Sequence, residues 1–321
     1  MIHVAVAGAG AFGAKHLDGL ASIDEATVVA VVDPVLDAAE AMAAEHDIPL
    51  ATADLDDVLA RDDIDAVILA TPTPVHAAQA IACLDAGKHV EVEIPLCDNL
   101  ADGQAVVEAQ QRSGKVAMCG HTRRFNPSHQ WVRERLETGQ FAIQHLDVQT
   151  FFFRRTNTNA LGQPRSWTDH LLWHHAAHTV DLFQYQTGSP VTQVNAIHGP
   201  VDPDLGIYLD LSIQLKTESG ALCTLTLSFN NDGPFGTFFR YIGDTGTYIA
   251  RYDDLVTGAD EPVDLPGIAR PDGSLSLNGI ELQDREFLAA IAEGREPNAS
   301  VAKVLPCYEV LDRIERQLTD G

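Results

Sequence analysis

The chain has 321 residues, enough for two domains with cores of their own, and its 45% hydrophobic and 21% charged residues are ordinary for a globular protein. A formal net charge of −25, from 46 acidic against 21 basic residues, argues against nucleic acid and anionic membrane surfaces as partners. No apolar run approaches the roughly 20 residues of a membrane span, no leader pattern precedes the first strand, and five dispersed cysteines without a CxxC pair read as free thiols, so a cytoplasmic location is expected.

Ile2 to Ala7 is a short apolar run of the kind that forms a buried parallel strand. Gly8-Ala9-Gly10-Ala11-Phe12-Gly13 follows at once and opens a helical pattern through Leu20. Glycines at these three places permit a tight turn, a close approach to a pyrophosphate and close helix–strand packing, while the helix N-terminus offers N–H donors to the phosphates. A second strand, Thr27 to Val32, ends in Asp33, 20 residues beyond Gly13, where a carboxylate meets the ribose 2′-hydroxyl of NAD and repels a 2′-phosphate. Strand and helix patterns then alternate through Val116 to Cys119. The expected fold is therefore α/β, with an N-terminal Rossmann domain over residues 1–120 built on a doubly wound parallel sheet. Thr71, Glu93 and His121 fall at carboxyl ends of its strands, where ligands bind in such sheets.

Beyond His121 the pattern changes. A helix from Pro127 to Thr138 and a strand around Gln144 to Phe153 lead to the polar 156–163 loop, and strand-like runs separated by turn residues follow from Val191 to Asp244. Residues 121–321 are expected to form a C-terminal α/β domain with a predominantly antiparallel open sheet, serving substrate binding and pairing in a homodimer or higher homo-oligomer. Between the loop and these strands lies Trp167 to Asp181, WTDHLLWHHAAHTVD. If this stretch is helical throughout, His170, His174 and His178 share one stripe, with Asp181 one turn further on. Imidazoles can hold, take or give protons near neutral pH. Seven of the sixteen arginines fall between Arg123 and Arg165, a basic island in an acidic chain that points to an anionic ligand. Arg133 and Arg135 read as part of an ordinary solvated helix. Arg154 and Arg155 point to opposite faces of a strand, so at most one of them faces a site.

The order GAGAFG, TPTPVH, GKHVEVEIP, HTRRFNP, HHAAHTVD, with the tail EFLAAIAEGREPNAS, resembles the Gfo/Idh/MocA oxidoreductases over the whole chain. That resemblance implies a Rossmann domain, a second α/β domain, an NAD or NADP cofactor, and hydride transfer between nicotinamide and an alcohol or lactol carbon. The longer segments HTRRFNPSHQ, FFFRR, PRSWTDHLLWHHAAHTVDLF and SFNNDGP more closely resemble a branch that serves bacterial protocatechuate 4,5-cleavage. Its activity is oxidation of a cyclic hemiacetal dicarboxylate to 2-pyrone-4,6-dicarboxylate, which suits the arginine island. Two departures from the wider family stand out: Ile94 replaces the lysine of its Glu-Lys-Pro motif, and His174 replaces the aspartate of its Asp-x-x-x-His pair. Close relatives are described with NADP, whereas Asp33 disfavours it; NAD is favoured and NADP stays open.

By this reading Gly8, Gly10, Ala11, Phe12, Gly13 and Asp33 bind the cofactor, and Thr71, Pro72, Thr73, His76, Glu93 and Ile94 line its nicotinamide end. His178 is the expected general base, with His174 orienting it or bonding the substrate, and His170 and His175 structural. His121, Arg123, Arg124, Arg165 and Trp167 are the substrate-binding candidates, with Arg124 alternatively paired to a structural acid. No metal is expected: His174 and His178 are spaced for zinc, but a third ligand and an HExxH pattern are missing. Two rivals remain in view, a covalent mechanism through Cys119 and a cofactor-binding redox sensor without turnover.

Overall fold

A computed structural model of the protein describes residues 1–158, 164–165, 167–251, 254–269, 275–276 and 278–320. The chain divides into two compact units, the first made of Met1–His121 and Ala269–Leu305, the second of Thr122–Ile268 and Pro306–Gly321. The chain leaves the first unit after His121 and returns to it over Ala269–Leu305, where the sequence led us to expect one uninterrupted domain over 121–321. The return has a physical cause in helix α8 (Gly279–Glu293), whose buried Leu282, Gln283, Asp284, Phe287 and Leu288 form a face that packs with the first helix of the chain.

In the first unit β1 (Ile2–Ala7), α1 (Ala11–Leu20), β2 (Ala26–Val32), α2 (Leu36–Glu45), β3 (Leu50–Thr52), α3 (Leu55–Leu59), β4 (Ala66–Leu69), α4 (Thr73–Asp85), β5 (His89–Val92), α5 (Leu100–Ser113) and β6 (Ala117–Cys119) alternate as anticipated. All pairs are parallel, in the order β3-β2-β1-β4-β5-β6. Helices on both faces explain why β4 is buried at every residue and reads as an unbroken apolar run rather than an alternation. The strand order reverses between β1 and β4, the switch point at which ligands bind beyond the strand ends. Three-residue β3 was missed in the sequence because it is too short to show a period.

The second unit holds α6 (Pro127–Glu137), β7 (Ile143–Phe151), α7 (Ala177–Thr187), β8 (Val191–His198), β9 (Asp210–Thr217), β10 (Leu222–Ser228), β11 (Gly236–Gly243), β12 (Thr247–Arg251) and β13 (Asp254–Thr257). These strands form one sheet in the order β13-β12-β11-β7-β10-β9-β8, antiparallel except for the β7–β10 pair. Alternation is clean: Leu146 and Val148 of β7, and Cys223, Leu225 and Leu227 of β10, point inward, while Gln149 and Leu222 are exposed. β12 and β13 were not anticipated, and part of the 156–163 loop lies outside the described residues. No helix among the described residues is long and apolar enough to cross a membrane.

The histidine stretch departs from a continuous α-helix. His170 is extended (φ −94°, ψ 144°) and exposed, Leu171–Ala176 forms π-helical turns, and α-helix begins only at Ala177. The His175 N–H reaches the His170 carbonyl at 3.4 Å, the i→i−5 bond of a π-turn. His170 therefore drops out of the expected stripe.

Candidate active site

The glycine loop has the features a dinucleotide needs. Gly8 sits at φ +109°, and a Cβ there would lie 2.3 Å from the Ala70 carbonyl oxygen. At Gly13 a Cβ would meet the Gly8 carbonyl oxygen at 1.9 Å, so this glycine is required for helix–strand packing. A Cβ on Gly10, by contrast, meets nothing within 4 Å, which leaves the open approach a pyrophosphate requires. Ala11 and Phe12 open α1, both exposed. Asp33, just past β2, accepts hydrogen bonds from the Ala9 N–H (2.8 Å) and the Val35 N–H (2.9 Å), which hold its carboxylate beside the loop. These residues fit a nicotinamide dinucleotide.

At the ends of β4 and β5 the remaining cofactor candidates are mostly buried. Pro72 caps α4, Thr73 begins it, and the Thr71 hydroxyl donates to Gln79 at 2.6 Å. His76 bridges the two strand ends, its Nε2 2.7 Å from the Thr71 carbonyl and its Nδ1 2.7 Å from the Pro95 carbonyl. Burial holds its pKa below the usual imidazole range, against the pull of those carbonyls. Ile94 is buried where the lysine of the family motif would stand. Glu93 belongs to a cluster not foreseen in the sequence: His16 of α1 lies between Asp284 (Nδ1 to Oδ1, 2.8 Å) and Glu93 (Nε2 to Oε1, 3.1 Å). Gln283 donates to Glu91 (2.8 Å) and to Glu93 (3.1 Å), and Gly120 leaves room, since a Cβ there would lie 2.7 Å from the Glu93 carboxylate. Burial, reinforced by Asp284, pushes the Glu91 carboxyl well above its usual range, and burial also raises Asp284. Burial is overcome at His16, which Asp284 and Glu93 raise well above the usual imidazole value, and at Glu93, which His16 holds below the usual carboxylate value. The available signal was an acid, Glu91, between the buried Val90 and Val92 of β5.

In the second unit the structure brings His174 and His178 together, both half-buried, with ring centroids 6.4 Å apart and edge-on. His175, its ring 4.8 Å from that of His174, packs on Phe152 and Phe229 with its Nε2 3.8 Å from Asp169. Asp181 lies one turn beyond His178 in α7. It accepts two hydrogen bonds from Arg124 (2.8 and 2.6 Å) in a buried ion pair, so Arg124 takes the structural-acid alternative. Arg123 donates to Asn126 at 3.3 Å and lies over Phe239. Arg165, over the Trp167 ring at 5.0 Å, shares Asp169 with Arg154. Asp169 is the residue that sequence reasoning passed over, although it stands four positions from Arg165. His175 and Arg154, with His174 nearby, overcome burial and hold its carboxyl far below the usual range. His121, in the first unit, follows β6 and is buried, and so is Cys119, which is poorly placed for a nucleophile.

Comparison with known proteins agrees with this geometry. Residues 2–121 match the Gfo/Idh/MocA profile, described as an oxidoreductase family with an NAD-binding Rossmann fold, and residues 127–269 match a C-terminal domain of bacterial oxidoreductases. The chain is 62% identical over 317 residues, 99% of both chains, to 4-carboxy-2-hydroxymuconate-6-semialdehyde dehydrogenase of Sphingobium sp.. It is 28% identical to inositol 2-dehydrogenase 2 of Paenarthrobacter aurescens, over 94% of this chain and 91% of that one. Among solved structures, levoglucosan dehydrogenase in complex with NADH shares the fold at a TM-score of 0.86 and 22% identity, covering 99% of this chain and 97% of that one. Glycine loop, parallel sheet, second-unit sheet and sequence matches together place the chain in the Gfo/Idh/MocA oxidoreductase family, as a nicotinamide-dependent dehydrogenase.

Proposed function

We propose that the chain oxidises the cyclic hemiacetal of 4-carboxy-2-hydroxymuconate-6-semialdehyde to 2-pyrone-4,6-dicarboxylate, a step of protocatechuate 4,5-cleavage. The observation that carries this reading is the 62% identity, kept over 99% of both chains, to the dehydrogenase named for that semialdehyde. The reaction removes a hydride from the hemiacetal carbon and a proton from its hydroxyl, leaving a lactone carbonyl. A nicotinamide cofactor held at the glycine loop would supply the hydride acceptor. His178 takes the proton as a neutral imidazole, and His174, one turn away, orients it or bonds the substrate. A hemiacetal hydroxyl is more acidic than a plain secondary alcohol, which makes a lysine at position 94 dispensable. His121, Arg123, Arg165 and Trp167 are assigned to the dicarboxylate, with Arg124 holding the fold of that region through Asp181. Asp33 favours NAD, because a 2′-phosphate would face a carboxylate already held beside the loop by Ala9. Self-association is assigned to the open face of the second-unit sheet, where Asp147 stands opposite Arg240 and Leu222 is 44% exposed.

The test is cofactor reduction with freshly made ring-cleavage product of protocatechuate, run in parallel with NAD and NADP. Rapid reduction with a pyrone dicarboxylate product, faster with NAD, is expected. Folded protein that reduces neither cofactor would return the chain to a family dehydrogenase of a different anionic sugar or lactol.

A further inference from the structure

The second unit gathers two guanidinium groups on one carboxylate. Arg154 donates from Nη1 and Nη2 to both oxygens of Asp169 (3.0 and 2.7 Å), and Arg165 donates from Nη1 to Oδ1 at 2.5 Å. Arg165 also donates from Nε and Nη2 to the Thr158 carbonyl, at 2.9 and 2.8 Å. Each guanidinium is backed by a ring, Phe229 under Arg154 at 4.7 Å and Trp167 under Arg165 at 5.0 Å. The three charged side chains are 15%, 17% and 7% exposed, so water screens them little. Two permanent positive charges against one negative leave an excess, and an arginine cannot shed its proton to remove it. Each guanidinium carries five N–H donors, more than Asp169 and Thr158 occupy.

We propose that Arg154 and Arg165, held side by side by Asp169, form a binding subsite for one carboxylate of the substrate. A ligand carboxylate brings the charge balance to two against two and gives the remaining donors an acceptor in bidentate geometry. Asp169 is then a positioning residue that aligns the pair and links it to the histidine segment through His175, whose ring lies 4.8 Å from that of His174. The same excess charge disposes of a competing use. Donor atoms of Asp169, His174 and His175 lie within 4.8 Å of one another, as a metal site would require. A divalent cation there would sit against two guanidinium groups that already claim the only carboxylate of the set.

This subsite rests on the dicarboxylate reading above, and the test separates the two. Arg154→Gln, Arg154→Lys and Asp169→Asn are assayed for kcat and KM on the semialdehyde, and for binding of 2-pyrone-4,6-dicarboxylate by calorimetry in the presence of cofactor. Arg154→Gln is expected to raise KM and the Kd of the pyrone about 10–100-fold, as for loss of a charge-assisted hydrogen-bond pair, with kcat changed far less. Arg154→Lys should recover part of the loss, and Asp169→Asn should raise KM without abolishing turnover. Unchanged KM and Kd in folded Arg154→Gln would overturn the subsite while leaving the proposed reaction intact. If the wild type does not turn over the semialdehyde, pyrone binding that Arg154→Gln loses would still support the subsite, and equal binding by both would sink it.

Discussion

Both units bury clusters of charge, and the clusters carry opposite excess. In the first, Glu91, Glu93 and Asp284 surround a single imidazole, that of His16; in the second, Arg154 and Arg165 surround a single carboxylate, that of Asp169. The difference matters because the two kinds of excess relax differently. A buried carboxyl can relieve repulsion by holding a proton, and burial shifts Glu91 and Asp284 in that direction. Guanidinium groups have no such escape near neutral pH. An acid-rich cluster can therefore adjust its charge by proton uptake, whereas an arginine-rich one calls for an anion. Arg124 and Asp181 are the balanced case, one of each.

If proton chemistry belongs to the second unit, His178→Ala should lower kcat about 10²–10⁴-fold with little change in Tm. Turnover within a few fold of wild type would remove His178 as the base. Next in size is Asp181→Ala, which strands a buried guanidinium and should cost about 3–5 kcal/mol in a denaturant titration. The matching change in the first unit, Asp284→Asn, should cost less, about 1–3 kcal/mol, because His16 can release a proton. Equal costs would break the contrast. Glu91→Gln should be stabilising. A carboxyl whose folded pKa is raised takes up a proton on folding, so its cost is absent below the unfolded value of about 4.3 and grows as pH rises toward the folded one. The gain in Tm should therefore be larger at pH 8 than at pH 5, and a gain independent of pH would mean that Glu91 is ionised when folded. The smallest effect is expected of Cys119→Ala, whose buried thiol should be dispensable for turnover; an inactive but folded variant would reopen the covalent mechanism.

How legible each region was follows from how far apart its partners lie. The Rossmann half could be read because its signals are local: a contiguous apolar strand, three glycines within six residues, and an acid at the end of the next strand. The histidine stripe was half right. His174 and His178 lie near each other, but π-turns over Leu171–Ala176 shift the phase, and nothing in WTDHLLWHHAAHTVD marks an i→i−5 bond beside the i→i−4 one. The arginine island was visible as composition, and its members separated only through their acids. Asp181 claims Arg124 from 57 residues away, and Asp169 claims Arg154 across a polar loop.

The sequence by itself determined the parallel sheet, the dinucleotide loop, the expectation of NAD from Asp33 and the residue types of the second unit. Only the tertiary structure decided which charges share a partner. His16 and Asp284 stand 268 residues apart, and no periodicity or spacing reports on such a pair. Whether a buried ion is balanced, protonated or left wanting a ligand depends on the few ångströms around it, and those are set by packing rather than by order along the chain.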